Sequence, residues 1–205
     1  MPLDAEHVSF RYNRRSPLLL EDVSLTVRDG ERVGVISPSG YGKSTFVDIL
    51  AGYLKPTSGR VLLDGKPVSR SAPIQLISQH PEEAINPRWR MGKVLEEAGE
   101  VDSETREALG LEPKWFDRFP RELSGGEMQR FSVARALIAN PKFILADEIT
   151  TMLDAITQAQ IWHYLMDASA RKGIGLVVVT HNPYLADRVC ERVVDLRDIN
   201  HAGQS

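Results

Sequence analysis

The stretch Ser37-Pro-Ser-Gly-Tyr-Gly-Lys-Ser-Thr45 constrains this chain most, because it joins two elements of different period. Before it, Arg32-Val-Gly-Val-Ile36 reads as a buried strand; after it, Thr45-Phe-Val-Asp-Ile-Leu-Ala51 has the apolar spacing of an amphipathic helix. Gly40 and Gly42 let backbone amides turn inward, and the helix start adds unpaired N–H groups at the positive end of its dipole. The stretch therefore predicts a phosphate cradle. In it Lys43 reaches the outer phosphates and the Ser44 hydroxyl holds a magnesium ion.

With 205 residues, 42% of them hydrophobic, the chain can bury a core as one domain or a domain with a small insert. No apolar run has the length of a membrane span, and the start, Met1-Pro-Leu-Asp-Ala-Glu-His7, lacks a basic region followed by an apolar stretch. These features predict a soluble cytoplasmic protein. Lys and Arg total 25 against 28 Asp and Glu, a formal charge of −3, so no nucleic-acid partner is expected. The single cysteine, Cys190, excludes an internal disulfide framework and reads as a small buried hydrophobe. The five histidines have no metal-ligand spacing.

In chain order, residues 3 to 10 read as a strand with Tyr12 just beyond it, an aromatic face suited to a nucleotide base. Val23, Leu25 and Val27 alternate before an Asp29-Gly30 turn and the strand Arg32–Ile36, a hairpin signal. Ile74-Gln-Leu-Ile-Ser78 reads as a strand ending on Gln79, placed to meet a metal or attacking water. From His80 the prolines 81, 87, 113 and 120 interrupt helical stretches, giving a small helical insert whose apolar material includes Trp89, Trp115, Phe116 and Phe119. Leu123-Ser-Gly-Gly-Glu-Met-Gln-Arg130 then opens a helix with a hydroxyl and two glycines, a second anion site. The apolar run Lys142–Ala146 delivers Asp147 and Glu148 at a strand end, one for a metal and one to polarise water. A helix is expected over residues 155–172, ended by Gly173, followed by the last buried parallel strand, Gly175–Thr180, with His181 at its end.

This series, from Tyr12 through residues 37–45, Gln79, 123–130, 143–148 and Asp154 to His181, resembles the nucleotide-binding subunit of ATP-binding cassette (ABC) transporters over nearly the whole chain. The resemblance implies an α/β P-loop NTPase with a RecA-like core, an antiparallel β subdomain, and an inserted helical subdomain over about residues 80–134 that includes the signature. It implies ATP and Mg2+ as ligands, with Tyr12 stacking on adenine and Ser37, Pro38, Ser39, Gly40, Tyr41, Gly42, Lys43, Ser44 and Thr45 cradling the phosphates. Ser44, Gln79 and Asp147 would surround magnesium, Glu148 would be the general base, and His181 the γ-phosphate sensor. Two cassettes would sandwich two ATP molecules head to tail, each P-loop facing Ser124, Gly125, Gly126 and Glu127 of the other chain, with Asp154 in contact across the dimer.

Gln79-His-Pro followed by Asn86-Pro-Arg88 looks like the peptide and nickel uptake branch of that family. The branch implies ATP hydrolysis powering an importer, with the chain peripheral on the inner face of the cell membrane. Its partners would be a second cassette, membrane-spanning permease subunits docked near Ile85, Arg88 and Trp89, and an extracytoplasmic substrate-binding protein. The alternatives are an accessory ATPase of a soluble complex of the phosphonate-breakdown type, a soluble ABC clamp, and an unrelated P-loop kinase. Three residues depart from the family pattern: Ser37 for the first glycine, Ile149 for the proline after the glutamate, and Met152 for a small residue.

Overall fold

A computed structural model describes residues 2–69, 73–151 and 153–202, and Met152 lies outside them. Two sheets of different kind carry the fold. Strands β1 (Leu3–Phe10), β2 (Leu20–Val27), β4 (Ser58–Leu63) and β5 (Lys66–Pro67) form an antiparallel sheet in the order β2-β1-β4-β5. Strands β3 (Arg32–Ile36), β6 (Ile74–Ile77), β7 (Phe143–Asp147), β8 (Gly175–Thr180) and β9 (Arg192–Asp195) form a parallel sheet in the order β6-β7-β8-β3-β9.

The hairpin expected between the second and third strands does not form. β2 pairs with β1 in the antiparallel sheet, whereas β3 lies between β8 and β9 in the parallel one. Burial explains the division. β2 alternates buried and exposed residues, as a strand covered on one face must, while Val33, Gly34 and Val35 of β3 are all buried, as a strand covered on both faces requires. The Arg28–Glu31 turn, closed by Glu31 N–H donating to the Arg28 carbonyl at 3.1 Å, carries the chain between sheets rather than back along one. β9 was not expected. Only Val193 and Val194 carry its pattern, and as a partly exposed edge strand it adds little apolar signal beyond the buried β8.

Alternation along the parallel strands sends side chains to two cores. Phe143, Leu145, Val177, Val179, Val33 and Val35 pack with helix α1 (Lys43–Leu50) and the antiparallel sheet. Ile144, Ala146, Leu176 and Val178 pack on the opposite face with helices α5 (Gly125–Ile138) and α6 (Ala155–Lys172). Phe46, Ile49 and Leu50 of α1 are fully buried, which stabilises the helix by about 1.5–3 kcal/mol for each side chain.

Between β6 and β7 the described chain is helical: α2 (Pro81–Ala84), α3 (Met91–Glu96), α4 (Ser103–Ala108), short 3-10 turns at Pro113–Trp115 and Pro120–Glu122, then α5. Trp115 is buried there, with Trp89 and Phe116 packed at the margin of its core. Ile85 is also in that core at 4% exposure, so it is not available to a docking partner; Arg88 is exposed beside it. Helices α7 (Pro183–Val189) and α8 (Leu196–Ile199) complete the chain. Cys190 sits half-buried against Gly34, and burial pushes its thiol up to about 12.

Candidate nucleotide site

The carboxyl ends of β3, β6, β7 and β8 deliver Ser37, Gln79, Asp147 with Glu148, and His181 to one end of the parallel sheet, where open α/β sheets collect ligands. Gly40 and Gly42 have φ of 86° and 89°, left-handed values that glycine adopts without strain. A Cβ on Gly42 would also press on Leu19 and Leu20 at 3.1 Å, closer than an ordinary van der Waals contact. Ser37 needs no such freedom. It is not among the described residues with positive φ, and it lies buried at 5% exposure, so serine fits where the family pattern has glycine.

Lys43 is 5% exposed, with its ammonium donating to the carbonyls of Ser37 at 2.8 Å and Pro38 at 3.2 Å and lying 3.7 Å from Glu148 Oε1. The loop thus curls around its own lysine. Ser39, Gly40, Gly42, Lys43, Ser44 and Thr45 line a cavity of about 350 Å³ together with Gln79, Glu148 and Leu19. Leu19 was missed in the sequence because the middle residue of the apolar run Leu18-Leu19-Leu20 reads as core and carries no chemical signal. Pro38 and Tyr41 are exposed on the same loop. Tyr12, 69% exposed, meets Phe10 edge-on at 5.1 Å and shares a 2.8 Å hydrogen bond between its hydroxyl and that of Thr45, which anchors it to the helix start.

The pleat separates the two acids. Asp147 points toward α1, where burial pushes its carboxyl above the usual range, the Ser44 hydroxyl pulls it back, and the neighbouring charges of Glu148 and Asp48 raise it further. Its Oδ1 is buried without a hydrogen-bond partner. A buried acceptor left open beside a serine hydroxyl fits a hard cation, which takes oxygen ligands. Glu148 turns the other way, with its Oε2 3.1 Å from His181 Nδ1. Its φ is 48°, and its N–H donates to the Val179 carbonyl at 3.0 Å, continuing the ladder one residue past β7.

The signature stretch is built differently. Ser124 caps α5, its Oγ accepting from Glu127 N–H at 3.2 Å while the Glu127 carboxylate accepts from Ser124 N–H at 2.7 Å. Gly126 lies close to Leu153, where a Cβ would meet the leucine at 3.2 Å. A Cβ on Gly125 would meet nothing, and its φ is not left-handed, so nothing within this chain requires glycine there. Ser124 and its glycines do not line the cavity of the phosphate loop. Asp154 caps α6, accepting from the N–H groups of Ile156 and Thr157 at 3.0 Å.

The ABC transporter family profile matches residues 20–151. The chain belongs to the ABC transporter family. It is 32% identical over 209 residues to the nickel import system ATP-binding protein NikE of Staphylococcus aureus (strain bovine RF122 / ET3-1), covering 96% of this chain and 87% of that one. The same protein from strain N315 matches to the same extent. Among solved structures, the ATP-binding cassette MJ0796 in a dimeric post-hydrolysis state with ADP and Pi superposes with a TM-score of 0.83 at 29% identity, covering 94% and 93% of the two chains. A second dimeric structure of MJ0796, described as a bacterial ABC transporter cassette, gives 0.80 at 28% identity. The chain is thus an ABC ATPase, a P-loop NTPase that binds and hydrolyses ATP as a transporter subunit.

Proposed function

We propose that this ABC ATPase powers an importer of the peptide and nickel type from the cytoplasmic face of the membrane. Support comes from Gln79-His-Pro with Asn86-Pro-Arg88 and from the nickel-import relatives. No helix among the described residues is long and apolar enough to cross a membrane, so the translocation path would belong to separate permease subunits. An extracytoplasmic binding protein would present the cargo to them.

In the proposed site Tyr12 stacks on adenine, and the backbone from Ser37 to Thr45 encloses the phosphates. The Lys43 ammonium leaves its loop carbonyls for the β and γ oxygens. Ser44, Asp147 and Gln79 would hold magnesium, which would neutralise charge on the β and γ phosphates. Glu148 accepts a proton from the attacking water as the new P–O bond forms and the bond to the ADP oxygen breaks. His181 orients that carboxylate through its 3.1 Å contact and meets the transferring phosphoryl group. Asp154 serves its own helix and faces the opposing cassette.

The observation that carries this reading is the division of the phosphate-binding parts. The loop cavity contains Lys43, Ser44, Gln79 and Glu148 but not the signature serine. A second cassette would supply that serine head to tail. The test is affinity capture of tagged Glu148→Gln protein from its native membranes with ATP and Mg2+. A multi-span membrane protein in roughly stoichiometric amount is expected. Capture of soluble enzymes alone would overturn the importer assignment.

A further inference from the structure

A second cavity, of about 170 Å³, is lined by Glu148 and His181 together with Thr150, Gln158 and Trp162. We propose that Trp162 and Gln158 are positioning residues, which hold the turn at Thr150 from one face of α6 and thereby fix the backbone of Glu148. This rests on the reading of Glu148 as the general base.

Left-handed backbone at a non-glycine residue is unfavourable and persists where its surroundings over-determine it. Glu148 has such a backbone, and the next residue is Ile149, which lacks the fixed torsion of a proline ring. The restraint comes from further along the chain. The N–H and hydroxyl of Thr151 both donate to the Glu148 carbonyl, at 3.3 and 3.1 Å, closing one turn. Leu153 N–H donates to the Thr150 carbonyl at 3.2 Å, closing the next.

Helix α6 then grips the junction of these turns. Trp162 Nε1–H donates to Thr150 Oγ1 at 3.1 Å, with both residues almost wholly buried, at 4% and 3% exposure. Gln158 Nε2 donates to the carbonyls of Thr150 at 2.7 Å and Leu153 at 3.0 Å. Residues four apart share one helix face, so the two side chains act on the same turn. Satisfying a buried indole is not automatic in this fold: Trp115 Nε1 is buried without a partner. The Trp162 indole, by contrast, is satisfied by Thr150, which stands two residues from Glu148 in the loop. Its bond is local in effect and long in sequence.

The test compares Trp162→Phe, Thr150→Val, the double variant and Thr150→Ser within the assembled ATPase, reading kcat, KM for ATP and thermal midpoint, with Glu148→Gln as control. Losing one buried hydrogen bond that orients the base should lower kcat about fivefold while KM stays within about twofold. The double variant should lose no more than either single one, because they break the same bond. Thr150→Ser keeps the hydroxyl and should keep turnover. Unchanged kcat in Thr150→Val, or fully additive losses in the double variant, would overturn the proposal even if Trp162→Phe failed to fold. Wild-type turnover in Glu148→Gln would instead remove the base assignment itself.

Discussion

The phosphate loop and the signature helix both offer a helix N-terminus and glycines to an anion, yet their surroundings differ sharply. The loop encloses a buried lysine, lies against a cavity and has a partnerless carboxylate oxygen close by. The signature helix exposes Ser124 with its cap already satisfied, and its Gly125 faces open space. The loop gathers its charged groups around a cavity, whereas the signature helix presents its cap at the surface. In the proposed head-to-tail pairing, this difference would let the loop of one cassette and the signature of another meet a single phosphate.

The strongest challenge to this division is Glu148→Gln, which should bind ATP normally and lose hydrolysis by about a hundredfold or more as the base is removed. Phosphate release at the wild-type rate would show that the loop side is misassigned. Lys43→Ala should weaken ATP binding by roughly tenfold to a hundredfold through lost charge-assisted hydrogen bonds. Near-normal affinity in a nucleotide titration would mean that the buried lysine serves only its loop. Ser124→Asp sharpens the other half. Aspartate keeps the helix cap but repels phosphate, so the thermal midpoint should hold while turnover of the paired cassettes drops roughly tenfold and the isolated chain binds ATP as before.

The smallest expected effect concerns Asp147. Its folded carboxyl is raised above its unfolded value, so the native state holds more protons in that window and stability falls as pH rises through it. Without nucleotide or metal, Asp147→Asn should therefore melt higher than the parent at neutral pH, with the advantage vanishing as pH falls below the ordinary aspartate range. Equal midpoints at all pH values would show that Asp147 is not under strain from burial.

Features set by immediate sequence neighbours were legible: the glycine loop, the acids after four apolar residues, and the cap at Ser124 all declare their local geometry within a few positions. What was hidden depends on distant pairing. Alternation at Val23, Leu25 and Val27 marks a strand but not its sheet, so the partner of β2 was misjudged. Ile85, between Ala84 and Asn86, reads as a surface residue until the helical core closes over it. Trp162 reads as one more apolar position on an amphipathic helix. Its indole bond to Thr150 exists only because α6 folds back beside the loop that precedes it.

The division between the loop and the signature can be tested by one labelling measurement. A tagged Lys43→Ala chain, weakened in holding nucleotide in its own loop, is paired with an intact cassette and given ATP carrying a photoreactive group on the γ-phosphate, at a concentration that fills only the intact loop. The account predicts label on the peptide Leu123–Arg130 of the Lys43→Ala chain. Label confined to the intact cassette, with that peptide untouched, would contradict it.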